Sequence, residues 1–326
     1  MILPYLLRLL CLCFASFFVV NVAAGLLVCI SSKSAIRFAE SRTPTRAVRL
    51  LLGLRLLPFV LAVLFVLELC VPSYLWLEPA AASERVGLLC GVLGLLGAAT
   101  WLDSLARTAQ SLCASLRYHR LCRLAGQETR LPGEPSPVVL VENEAPLLAM
   151  SGLFHPRLLI SRSVLQNLSA AELDTVLAHE YAHRASRDNL KRLLIQLAPD
   201  IFPFLHPLRP LERTWSRFAE WAADDQAIAG DSGRAVSLAA ALVQVARLGR
   251  GPRLPFLSTS LLASDRELSA RVDRLLETLP VIPAPTAQPQ PALRAAGVLL
   301  AGCMAALLAM PATLALVHEL LELLLH

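Results

Sequence analysis

Leu177-Ala178-His179-Glu180-Tyr181-Ala182-His183 is the stretch that decides the reading of this chain. Just ahead of it stands Asn167-Leu168-Ser169-Ala170-Ala171-Glu172, where Ser169 with an acid three residues on has the form of a capping box. A helix therefore starts here, and Leu173, Val176 and Leu177 recur at its period. On that helix His179 and His183 lie one turn apart on one face, so both imidazoles can reach a single metal ion. Glu180 projects beside them, placed to take a proton from a water that the metal acidifies. The competing reading is a solvated helix face with two incidental histidines. It is decided by whether a third ligand follows.

One does. Arg217-Phe218-Ala219-Glu220-Trp221-Ala222-Ala223-Asp224 carries two acids one helical turn apart. A mononuclear zinc site needs three protein ligands and keeps a fourth position open. With Glu220 on the metal, Asp224 can accept a hydrogen bond from the far nitrogen of a liganding histidine and fix its tautomer. Phe218, Trp221 and Ala222 surround the pair, and acids in so apolar a segment need a reason to be there. A transition-state oxyanion also needs a donor, for which Arg213 and Arg217 are the nearest candidates in sequence.

Upstream the chain breaks at Leu131-Pro132-Gly133-Glu134-Pro135-Ser136-Pro137 and then runs Val138-Val139-Leu140-Val141, a short buried strand. Leu147 to Met150 is a second apolar stretch and Arg157 to Ser161 a third strand. These predict a small hairpin or meander, which makes the domain at 131–279 α+β. The strand Arg157 to Ser161 is expected to offer its backbone to an extended substrate.

Outside this domain the sequence is a membrane protein. Hydrophobic residues make up 56% and charged residues 17% of the 326, which excludes a disordered chain and leaves a simple soluble globule without support. Three early spans are expected at about 9–32, 56–77 and 86–102 and a fourth at 295–317, beyond a Pro-rich linker at 280–294. Arg8 ahead of an apolar run and Val22-Ala23-Ala24 would also suit a cleavable leader. The flank argues against cleavage: Lys33, Arg37, Arg42, Arg46, Arg49 and Arg55 face a single acid, Glu40, in the loop between spans one and two. With that loop inside, the termini are extracytoplasmic, including the tail at 318–326, and the domain after Asp103 is cytoplasmic. Glu68, near the end of span two, is either an intramembrane acid or a side chain reaching the interface.

Net charge is +5 without a basic stripe, so no direct nucleic-acid binding is expected. Six of the eight cysteines lie in or beside apolar stretches and none forms a Cys-x-x-Cys pair, so they read as small buried hydrophobes.

Several motifs in order resemble one family: Gly152 to Ile160, then His179-Glu180-Tyr181-Ala182-His183-Arg184-Ala185-Ser186-Arg187-Asp188-Asn189-Leu190, then Arg217 to Asp225, then Arg271-Val272-Asp273-Arg274-Leu275-Leu276. The sequence is similar to peptidase family M56, the membrane metalloproteases typified by the β-lactam sensor-transducers BlaR and MecR. M48 peptidases share the histidine motif but lack the Arg-Asp-Asn extension. The resemblance implies a gluzincin-type domain on four transmembrane helices and one Zn2+ per chain. It implies zinc ligands His179, His183 and Glu220, Glu180 as general base, and Asp224 and Asp188 in supporting positions. His206-Pro207 stands where the family often has Asn-Pro, which leaves the role of His206 open. Only nine residues follow Val317, so a drug-binding domain is not expected. The implied partners are the lipid bilayer, a protein or peptide substrate such as a cytoplasmic repressor or the chain itself, and a separate sensor protein. Quality control of membrane proteins, and a zinc-containing regulator that does not cleave, are the alternatives.

Overall fold

The computed structural model describes residues 5–77, 86–129, 138–142, 146–153, 156–249, 259–260, 265–277 and 310–325. Three of its helices are long and apolar enough to cross a membrane. The first is α1 (Tyr5–Glu40). The second runs unbroken from Pro44 to Leu77, as α2 (Pro44–Phe65), a π-helical turn (Val66–Cys70) and α3 (Val71–Leu77). The third is α4 (Leu88–Ala125). Glu68 is exposed within the π-turn. The expected fourth span falls mostly outside the described residues, and so does the linker.

Each of these helices, at 34 to 38 residues, is over 50 Å long at about 1.5 Å per residue, against a hydrocarbon core of about 30 Å. The surplus length is built into the peptidase domain. What reads in sequence as a basic loop is a helical hairpin: α1 continues to Glu40 and α2 begins at Pro44. Its apolar residues Ala39, Ala47, Val48 and Leu51 are buried against Leu211, Trp215, Phe218 and Ala219 of α8 (Arg209–Ile228). Arg42, Arg46 and Arg49 are exposed on the other faces, whereas Arg55 is buried against α7 and α8. The polar stretch after Asp103 likewise continues α4, as far as Ala125.

Close approach holds the three helices together. A Cβ on Gly97 of α4 would lie 2.2 Å from the Phe14 carbonyl oxygen of α1, so only glycine fits this crossing. Cys11 of α1 and Cys90 of α4 pack nearby, their sulfurs 3.9 Å apart, as free thiols.

Among the described residues the sheet has five strands in the order β1-β2-β4-β3-β5: β1 (Gly126–Thr129), β2 (Val138–Val141), β3 (Leu148–Ser151), β4 (Arg157–Ser161) and β5 (Thr259–Ser260). β3 and β4 form the expected antiparallel hairpin, but the sheet is not a meander, because β4 then pairs parallel with β2. The sheet also begins earlier than the break at Leu131 suggested. Strand β4 is therefore internal, with both edges paired, and has none left for a substrate.

Both faces of the sheet are covered, which is why its strands read as unbroken apolar runs. Val138, Leu148, Met150, Leu158 and Ile160 pack against helices α5 (Arg162–Asn167), α6 (Ala170–Ser186) and α9 (Ser232–Arg247). Val139, Val141, Leu147, Ala149 and Leu159 pack on the other side against Tyr118 and Cys122 of α4. Helix α7 (Asp188–Leu197), helix α10 (Asp265–Glu277) and helix α11 (Pro311–Leu325) complete the described elements.

Candidate metal centre

Helix α6 starts as the sequence dictates. Ser169 Oγ accepts from Glu172 N at 3.3 Å, and Glu172 Oε2 accepts from Ser169 N at 2.7 Å. The helix buries His179, Glu180 and His183 against α8 and stops at Arg187, which adopts a left-handed conformation (φ 54°). That reversal explains the residues that follow. It turns Asp188 back toward the histidines and sets Asn189 to donate to the carbonyls of Met150 and Gly152, tying α7 to the end of β3.

The two histidines are held from behind. Asp188 Oδ2 lies 2.8 Å from His183 Nδ1, and Asp224 Oδ1 lies 2.9 Å from His179 Nδ1. With a proton on each Nδ1 shared with its carboxylate, each Nε2 is left with a bare lone pair. These Nε2 atoms face each other at 3.2 Å, and Glu220 Oε2 lies 3.6 Å from both. Three electron-rich atoms this close in a buried site suit a cation between them, with the Arg271 guanidinium already on one side. Two metal–nitrogen bonds of about 2.0–2.1 Å at a tetrahedral angle put their donors about 3.3 Å apart. The donor set therefore fits one tetrahedral ion, with His179, His183 and Glu220 as the three protein ligands.

The surrounding field points the same way. Burial opposes a charge on His183, but the carboxylates of Glu220 and Asp188 outweigh it and raise its pKa to about 10. The pocket thus draws positive charge to the place where the histidines point. Glu180 is fully buried, and neither of its carboxylate oxygens has a hydrogen-bond partner among the described residues. Burial pushes its pKa up to about 7, against the pull of the two histidines. A carboxylate kept dry and unpaired beside a cation site is available for proton transfer.

One further group belongs to the centre. Arg271, on α10 and 1% exposed, donates through Nε to Asp224 Oδ2 at 2.9 Å and through Nη2 to Asp224 Oδ1 at 2.6 Å. Its Nη1 lies 3.3 Å from Glu220 Oε2. One guanidinium thus holds Glu220 and Asp224 of α8 together. Sequence reasoning passed over this role, although the signal was present: Arg271 lies on the same helical stripe as Leu268 and Leu275, and a charge on an apolar face needs a buried partner.

The two arginines named as oxyanion donors are elsewhere. Arg213 is exposed, and Arg217 pairs with Glu40 at 3.1 Å while lying over the rings of Phe218 and Trp221. His206 is also away from the centre, 3.6 Å from Asp200.

No curated protein matches the sequence. The model of the family described as BlaR1 peptidase M56 matches residues 86–275, which spans α4, the sheet, both helices of the metal centre and Arg271. That match takes in more than half of the chain: the protein is a member of the M56 peptidases, a metallopeptidase family.

Proposed function

We propose that this chain is a membrane-anchored zinc endopeptidase that hydrolyses peptide bonds on the cytoplasmic side. The observation that carries the reading is the buried trio His179 Nε2, His183 Nε2 and Glu220 Oε2 beside the unpartnered carboxylate of Glu180. When bound, zinc supplies Lewis acidity to a carbonyl oxygen and acidifies water. Glu180 takes the proton from the attacking water and delivers it to the leaving amine nitrogen. Asp224 and Asp188 keep both Nδ1 protons in place, so the Nε2 lone pairs stay aimed at the ligand position. Arg271 neutralises Asp224 and Glu220, and its Nη2 also lies 3.5 and 3.4 Å from Nδ1 and Nε2 of His179.

Three early spans and a fourth at 295–317 would anchor the domain, with the basic tip of the α1–α2 hairpin on the cytoplasmic side. The substrate that fits best is a cytoplasmic repressor or the chain itself, cleaved in response to a separate sensor protein; quality control of membrane proteins is the second reading. Cleavage is tested by comparing wild type with Glu180→Gln in native-like membranes, scoring new protein termini by mass spectrometry. Fragments found only with wild type support the peptidase. Identical termini in both, with zinc bound in each, would favour a regulator that docks without cutting.

A further inference from the structure

The connection between α7 and α8, Ala198-Pro199-Asp200-Ile201-Phe202-Pro203-Phe204-Leu205-His206-Pro207-Leu208, is unusually apolar for a loop of a water-exposed domain. Its position can be measured against the spans. Arg55 is the last residue before the second span begins, and its buried guanidinium donates to the carbonyls of Ile195 and Ala198, each at 3.1 Å, and pairs with Glu212 at 2.7 Å. Both ends of the connection are thus pinned at one level. Ser104, two residues beyond the end of the third span, donates to the carbonyls of Gln196 and Leu197 and marks the same level from another helix.

Between those pins the chain rises along α1. Ile201 fills the space at Gly25, where a Cβ would lie 2.5 Å from it, and Asn21 donates to the Asp200 carbonyl at 2.8 Å. The ring of Phe202 meets that of Phe18 at 6.2 Å. Counted upward from Ser32, where the charge-free run of α1 ends, Gly25 and Asn21 lie about 10 and 16 Å inside at 1.5 Å per residue. The hydrocarbon core is about 30 Å thick, so the loop reaches its middle.

We propose that Pro199–Leu208 is a re-entrant loop of the peptidase domain, seated in the bilayer beside α1 with lipid acyl chains as its partner. This rests on the spans proposed above. The chemistry suits that environment. Phe204 and Leu205 are 78% and 61% exposed, and Phe202 is 36% exposed. Backbone polar groups in lipid must be satisfied internally. Pro199, Pro203 and Pro207 have no N–H to satisfy, and a tight turn at Phe204 (φ 66°) closes a bridge between Phe202 and Leu205. The ionisable groups, Asp200 and His206, face each other at 3.6 Å, with Asp200 only 2% exposed. Arg209 sits within one turn of Glu212, close enough to reach the interface.

The test uses the full chain in membrane vesicles carrying Phe204→Cys or, as a reference on α8, Arg213→Cys. Both positions are exposed, so neither variant disturbs packing. A membrane-impermeant maleimide is added to inside-out vesicles and labelling is read peptide by peptide, so native cysteines do not contribute. Arg213→Cys should label at once, and Phe204→Cys only after detergent is added. Equal labelling of both in intact vesicles overturns the loop. Labelling of Arg213→Cys solely in right-side-out vesicles, with Phe204→Cys protected in both, supports the loop and overturns the proposed orientation instead. A second readout separates lipid from a covering protein: in a chain whose four native tryptophans are replaced by Phe, Trp emission of Phe204→Trp should be quenched by phospholipids brominated on the acyl chains. Protection without that quenching overturns lipid as the partner.

Discussion

Arg271 is the residue on which the metal centre depends without supplying a ligand to it. Its guanidinium spans Asp224 and Glu220, and it is the cation closest to both of these buried carboxylates. Breaking a buried pair leaves an uncompensated charge, so Arg271→Met should destabilise the domain by about 3–5 kcal/mol in denaturant unfolding. Arg271→Lys should recover only part of this, since an ammonium cannot grip both oxygens of Asp224. An unchanged unfolding midpoint in Arg271→Met would show that the guanidinium is dispensable. Asp188 and Asp224 act on the histidines from the side away from the ligand position. Asn at either position keeps the volume but weakens the orienting bond, and zinc affinity by chelator competition should fall about 10–100-fold. Equal affinity to wild type would remove both from the centre.

Among the elements, α8 is the one through which the membrane helices reach the chemistry. One of its faces carries Glu220 and Asp224, and another packs on the α1–α2 hairpin, where Arg55 pairs with Glu212. Arg55 is 1% exposed, so Arg55→Met should lower thermal stability in detergent, and pairing it with Glu212→Gln should recover part of the loss. Strict additivity of the two would deny the coupling. Elements with strong local signals were legible in the sequence. The capping box set the start of α6, and the apolar runs gave β2 and β4. The ends of α1, α2 and α4 were not legible, because their extensions bury small residues such as Ala39 and Ala47 while showing arginine outward, which in sequence looks like a loop. Strand order was hidden for a different reason: runs buried on both faces carry no alternation to set their pairing. Of the site, the ligand trio and Asp224 followed from spacing, while Asp188 came only from the resemblance to the M56 motif. Arg271 did not, because a lone arginine shows its partner only once α10 is laid against α8.

At the scale of the whole molecule, membrane and peptidase parts are one packed body rather than a domain on a tether. The residues on both sides of Val22-Ala23-Ala24 take part, Asn21 through Asp200 and Gly25 through Ile201, so cleaving α1 there would unseat the α7–α8 connection. The proposed orientation is open to a simple check, because the chain has only two lysines and Lys33 is exposed on α1, just beyond the end of its charge-free run. A membrane-impermeant amine reagent should modify Lys33 in inside-out vesicles and not in right-side-out ones; the reverse pattern would invert the topology. The claim that the rest depends on is that His179, His183 and Glu220 hold a single metal ion. Elemental analysis of purified protein should find one zinc per chain in wild type and in Glu180→Gln, and loss of zinc in His179→Ala, His183→Ala and Glu220→Ala. Zinc retained at full occupancy in those three variants, or absent from wild type purified without chelator, would contradict it.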